Sequence, residues 1–155
     1  MQIALGADHA GIVLKSQIKE FLDKLNLTYK DFGTASDESV DYPDYAASVA
    51  HNVSVGSFDR GILICGSGIG MAITANKFRG VRAAPVYTIS AARLCREHNN
   101  TNVLTLGSRM LETEQALQIV ETFLITPFGE GRHQHRIDKI TAIEDLRLGG
   151  MKTTQ

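Results

Sequence analysis

The 155-residue sequence has no tryptophan, two cysteines and three prolines. Two cysteines, Cys65 and Cys95, cannot build the disulfide framework of a small secreted domain, so apolar burial must supply the core and a reducing compartment is expected. No apolar run approaches the ~20 residues that a helical membrane span requires. The opening "MQIALGADHAG" lacks the charged start and long apolar centre of a secretory leader. Sixteen Lys plus Arg against 17 Asp plus Glu give a net charge of −1, so no global field draws in nucleic acid or an anionic membrane, and any basic function is local. The expectation is a soluble, cytoplasmic protein whose 43% hydrophobic residues fill one core.

What is present is an alternation of short apolar runs and helical patterns. "QIALGA" (Gln2–Ala7) predicts a buried strand. Leu14, Ile18, Phe21, Leu22 and Leu25 then recur at helical spacing among Lys15, Lys19, Glu20, Asp23 and Lys24. "TYKDFG" predicts a second strand, and "TASDESVDYPDYA" a polar loop with Pro43 in the first turn of a helix to about Val55. "RGILIC" predicts the third strand, with "MAITANKF" helical after it. "VRAAPV" reads as a fourth strand that Pro85 places at an edge. "TISAARLCREHNN" is helical, "VLTLG" a fifth strand, and Leu117, Val120 and Leu124 mark another helix. After the loop "PFGEGRH", "RIDKITAIEDLRL" is a final helix. Five strands alternating with helices predict a single-domain, three-layer α/β/α fold around a Rossmann-like parallel sheet covered on both faces. The domain is expected over 1–148, with a flexible tail at 149–155.

In such sheets ligands bind beyond the carboxyl ends of the strands. That rule selects Asp8–His9, Cys65–Gly70 and Gly107–Arg109. The stretch "CGSGIG" is not a dinucleotide fingerprint: its spacing is G-x-G-x-G, it follows the third strand, and "RAAPVYTIS" offers no ribose-binding acid. Nor does Gly-Lys-Ser/Thr follow, as a P-loop would require. A plain turn explains one or two glycines. Three glycines behind a cysteine at a strand tip suit backbone N–H groups converging on an anion, with Cys65 either a reactive thiolate or a small core residue.

Other residues invite chemistry. Cys95 lies mid-helix and reads as core. His98 ends the same helix, where a histidine can simply complement the helix dipole. Arg132 and Arg136, four apart, would share a helix face and could grip a phosphate by forked bonds or form a solvated basic end. His133 and His135 have H-x-H spacing, but no acidic or cysteine ligand cluster stands nearby, and no metal site is expected. His51 reads as surface.

Taken together, "GADHAG", "DYPDYA", "GILICGSGIGMAITANKF", Arg82, "EHNNTNVLTLGSR" and "GEGRHQHR" resemble the type B ribose-5-phosphate isomerases, a family that also contains galactose- and allose-6-phosphate isomerases. The likeness runs from Ile3 to about Arg147. It implies an aldose–ketose isomerase that needs no cofactor and no metal. Cys65 corresponds to the base that moves the proton between C2 and C1, and His98 to the residue that opens the furanose ring. Asp8, His9 and Tyr42 would line the sugar end. Gly66, Ser67, Gly68, Ile69 and Gly70 would stabilise the enediolate, and Asn99 would bond the substrate. Arg109, Arg132 and Arg136 would hold the phosphate, with His9 beside them. Ser67 stands where many relatives have threonine, keeping the hydroxyl. The resemblance further implies a homodimer, open to pairing into a tetramer, whose C-terminal helix reaches its partner and whose active sites lie between subunits. Ribose 5-phosphate is the expected substrate; a hexose or tetrose phosphate, or a non-catalytic nucleotide- or phosphate-binding module on this fold, are the alternatives.

Overall fold

In the computed structural model, which describes residues 1–149, five parallel strands form one sheet in the order β2-β1-β3-β5-β4. The strands are β1 (Gln2–Ala7), β2 (Thr28–Asp31), β3 (Arg60–Cys65), β4 (Ala83–Pro85) and β5 (Val103–Gly107). The helices are α1 (Ile12–Lys24), α2 (Tyr42–Ser54), α3 (Ile69–Ala75), α4 (Ile89–Asn99), α5 (Thr113–Ile125) and α6 (Arg132–Gly149). A single 3-10 turn, His9–Gly11, joins β1 to α1.

The period-two alternation of the central strands sorts their side chains between two cores. Ile3, Leu5, Ile62, Ile64, Leu104 and Leu106 pack under α1, α4 and α5; Ala4, Leu63, Cys65 and Val103 pack under α2 and α3. The three-layer expectation therefore holds, with both faces of the sheet covered. β4 lies at an edge, where Pro85 removes no N–H that a further strand would need. Leu25, expected in the core, is 41% exposed: it caps α1, and Asn26, at φ 52, turns the chain out of the helix there. Two helices start earlier than their apolar pattern suggested, α3 at Ile69 and α6 at Arg132. The expected tail lies outside the described residues, apart from Gly149, which closes α6.

From β1 the chain turns outward to β2, and from α2 it returns to β3 on β1's other side. The carboxyl ends of β1 and β3 thus flank the crevice where strand order reverses, the usual ligand position in an open parallel sheet. α6 is the exception to the layering. It leans on α4, and Ile140, Ile143 and Leu146 on it stay exposed. Among the described residues no helix is long and apolar enough to cross a membrane.

Candidate active site

Asp8, 6% exposed, leaves β1 with its backbone N–H bonded to the Ile64 carbonyl at 3.2 Å. Its carboxylate accepts from the N–H groups of Ala10 (3.0 Å) and Gly11 (3.2 Å), which fixes it at the mouth of the crevice. His9 Nδ1 accepts from the Val40 N–H at 3.2 Å, so the ring proton sits on Nε2. The loop carrying Val40 is itself anchored. Buried Lys15 donates to the Thr34 carbonyl at 2.7 Å and pairs with Asp31 at the end of β2.

The glycine loop is held by its carbonyls. The Cys65 carbonyl accepts from Ser108 N–H (2.8 Å), Gly66 from Arg109 N–H (3.1 Å), Ser67 from the Tyr87 hydroxyl (2.7 Å) and Gly68 from Thr105 Oγ1 (2.8 Å). In a trans peptide the C=O and the following N–H point in opposite directions. The N–H groups of Gly66, Ser67, Gly68 and Ile69 therefore face away from this scaffold. Gly68 donates to Cys65 Sγ at 3.1 Å and Ile69 to Ser67 Oγ at 3.3 Å. Gly68 has φ +80, and a Cβ there would lie 2.9 Å from the Leu106 backbone, so this turn excludes other residues. At Gly70 a Cβ would fall 2.5 Å from the Tyr42 ring, so the missing side chain is what seats that tyrosine beside the loop. The Arg109 side chain lies across Gly66, its Nε 3.4 Å from where a Cβ would be. The result is an open cleft of about 610 Å³ lined by Asp8, Tyr42, Cys65, Arg109 and the loop. α3 has only 7 residues, so loop amides rather than a long helix dipole make the cradle.

A second group gathers elsewhere. His98 and Asn99 form the last turn of α4, and the His98 ring stacks on His133 of α6 with centroids 4.3 Å apart and planes at 10°. Arg132 and Arg136 lie on the outer, exposed face of α6. Arg82 and Arg96 close off the end of α4: Arg82 Nε donates to the carbonyls of Asn99 and Asn100, and Arg96 to the Thr101 carbonyl. Burial lowers both guanidiniums, Arg96 to about 10, where Arg60 and Arg82 add repulsion. A cavity of about 450 Å³, lined by Arg82, Asn99, Ile140 and Ile143 among others, opens beside this corner. Cys95 is buried as expected, and burial raises its thiol. His51 is exposed, also as expected. His133 faces inward and His135 outward, and among the described residues no group of His, Cys, Asp and Glu is placed to hold a metal.

Within one chain the two groups stay apart. Cys65 and Gly107 end β3 and β5, whereas Asn99 precedes the start of β5 at Val103. The length of β5 alone separates them by on the order of 15 Å. Asp8, His9, Tyr42, Cys65–Gly70 and Arg109 share the carboxyl edge; His98, Asn99, Arg132 and Arg136 share the α4–α6 corner. Sequence reasoning missed Tyr87, Thr105 and the Ser108 hydroxyl, which only a hydrogen-bond map relates to the loop. It also missed His133 as a partner of His98, although a histidine four residues before Ile137 on one face was a readable signal of a buried position.

Comparison with known proteins matches residues 3–140 to the family model described as Ribose/Galactose Isomerase. The chain is 47% identical over 146 residues to ribose-5-phosphate isomerase B of Escherichia coli (strain K12), covering 94% of this chain and 98% of that protein. It is 40% identical over 141 residues to D-erythrulose-4-phosphate isomerase of Pectobacterium atrosepticum, covering 90% and 93%. Among solved structures, ribose-5-phosphate isomerase B of Clostridium thermocellum superposes with a TM-score of 0.93 at 48% identity, over 95% of this chain and 99% of that one. The Mycoplasma genitalium enzyme, solved with bound ribulose-5-phosphate, gives 0.90 at 44% identity, over 93% and 96%.

Proposed function

The chain belongs to the ribose/galactose isomerase family, and we propose that it interconverts ribose 5-phosphate and ribulose 5-phosphate through an enediolate. One observation carries the chemistry: the Cys65 sulfur sits at a strand tip under the Gly68 N–H, beside a loop whose Gly66 and Ser67 amides face away from their anchored carbonyls. Aldose–ketose isomerisation requires a base for a proton next to a carbonyl and donors for the oxygen that becomes negative. Cys65 is the base in this reading. Its thiolate takes the C2 proton of the open-chain aldose and returns it to C1, the O2 hydroxyl gives up its proton as O1 gains one, and the loop amides hold the enediolate oxygens in between. Asp8 and Tyr42 flank the sugar.

Ring opening is assigned to His98, since ribose 5-phosphate enters as a furanose and must expose its aldehyde first. The same chain's His98 cannot reach its own Cys65, because a strand length intervenes. A second copy must therefore bring His98, Asn99, Arg132 and Arg136 to the carboxyl edge, making each site the joint product of two subunits related by a two-fold axis. The arginines would then clamp the phosphate, whose binding energy fixes the sugar over the base.

The test is turnover of ribose 5-phosphate by purified protein in buffer without added metal or nicotinamide. Turnover that disappears in Cys65→Ala supports the reading; equal rates in the two proteins overturn the base assignment. A second reading, a tetrose phosphate substrate, is favoured by the Pectobacterium relative. Faster turnover of erythrulose 4-phosphate than of ribulose 5-phosphate would select it.

A further inference from the structure

α6 begins abruptly. The Gly129 N–H bonds the Glu97 carbonyl at 2.9 Å, tying the loop to the last turn of α4. Glu130 and Gly131, at φ 47 and 55, then reverse the chain, and the His133 N–H closes on the Glu130 carbonyl at 3.0 Å. This turn aims His133 and, one turn later, Ile137 at α4; they are 9% and 6% exposed, while Arg132 and Arg136 face out. The His133 ring lands flat on the His98 ring.

A half-exposed imidazole at a helix end has a broad second torsion and samples many orientations. Among the described residues no hydrogen bond holds the His98 ring, which leaves the stack to set its plane. We propose that His133 is a positioning residue: its imidazole, stacked face to face on His98, holds that ring in the orientation from which it opens the sugar. The proposal rests on the ring-opening role of His98 stated above.

The stack requires an uncharged His133. Its Nδ1 is buried without a hydrogen-bond partner, so an imidazolium would bury an N–H with nothing to accept it. Burial first, then the charges of His98, Arg132 and Arg136, hold the group below its ordinary range, with Glu97 pulling weakly the other way. An uncharged ring also tolerates whichever protonation state His98 passes through. What His133 supplies is therefore a flat, neutral surface, which a phenyl ring can reproduce and a methyl group cannot.

The experiment compares His133→Ala, His133→Phe and His98→Asn in two assays. The first is conversion of ribose 5-phosphate, which requires ring opening. The second is wash-in of solvent deuterium at C1 of ribulose 5-phosphate. That ketose is open-chain, because its C5 oxygen is esterified, so its exchange reports the base and the cradle alone. His133→Ala is expected to lower kcat on the cyclic sugar by about tenfold while exchange stays within about twofold. His133→Phe should recover most of the loss. Equal losses in both assays, no loss in His133→Ala, or a His133→Phe protein as slow as His133→Ala each overturn the proposal. If His98→Asn itself slows both assays equally, the ring-opening assignment falls and takes the positioning role with it. If His98→Asn separates the assays and His133→Ala does not, the stack alone is wrong.

Discussion

At the carboxyl edge of the sheet the reactive groups are backbone amides and one thiol, each a bond or two from a strand. Successive carbonyls from Cys65 to Gly68 are pinned by Ser108, Arg109, Tyr87 and Thr105, so neither the amides nor the thiol has a long lever to swing. At the α4–α6 corner the groups are imidazoles and guanidiniums on helix faces, held by a ring stack, a loop hydrogen bond and helix caps. The first arrangement suits stabilising a charge that appears at one fixed point, where sub-ångström placement decides the rate. The second suits gripping a dianion and reaching across a subunit boundary, where long side chains adapt. The proposed enzyme divides its chemistry along that line: proton transfer on a short thiol among pinned backbone amides, phosphate capture and ring opening on longer side chains.

The largest effect breaks the halves apart. Cys65→Ala should reduce turnover by roughly 10²–10⁴-fold, the usual reach of a general base. Arg132→Ala/Arg136→Ala should be nearly inactive at low substrate. Mixing the two under subunit exchange should restore about one quarter of the wild-type rate, because half the dimers are hybrid and one of their two sites is whole. Activity that stays at background while hybrids demonstrably form would refute the shared site.

The arginine pair sharpens the contrast in kind. Each lost charge-assisted contact is expected to cost about 1.5–3 kcal/mol of substrate binding. The loss should fall on KM, and inorganic phosphate should stop competing. A fall in kcat with KM unchanged would move the arginines from the phosphate to the reacting end.

A smaller effect tests the carbonyl scaffold. Tyr87→Phe leaves the Ser67 carbonyl without its hydroxyl donor and is expected to lower kcat by about tenfold, equivalent to ~1.4 kcal/mol, with phosphate inhibition unchanged. A thermal shift without a kcat change would make the contact structural only.

The smallest effect is a pH dependence confined to the corner. His133 titrates below its ordinary value of 6.5, chiefly through burial, so the unfolded or undocked chain takes up the proton first. The undocked form then binds more protons, and α6 docking weakens as pH falls through that ordinary value. Referred to the intrinsic exchange rate at each pH, the protection of α6 amides between pH 7.5 and 5.5, roughly a unit either side of an unperturbed imidazole, should fall below the midpoint, and His133→Phe should flatten the dependence. Exchange in β3 and β5 should not follow. The same loss of protection across the sheet would make the transition global.

Most of the architecture was legible because local patterns carry it. Buried runs such as "GILIC" allow one kind of strand, and Leu14, Ile18 and Leu22 allow one helix face. The carboxyl-edge rule then pointed to Asp8, Cys65 and Arg109 before any coordinates, and the cleft contains all three. Helix starts were less legible, because Ile69 and Arg132 are placed by loop hydrogen bonds and not by apolar spacing.

What residue chemistry and order determined by themselves was a parallel α/β sheet, the edge where its candidate site lies, and a cysteine with a glycine loop on that edge. Those features follow from side-chain period and from backbone freedom at Gly68, which are properties of neighbours in the chain. Tertiary structure alone decided that Tyr87 and Thr105 anchor the loop, that His133 lies flat on His98, and that His98 stands a strand's length from Cys65. Each of these is a contact or a distance between segments far apart in sequence. Linear spacing is blind to them, because the direction of a helix across the sheet, and not the count of residues, sets which ends meet.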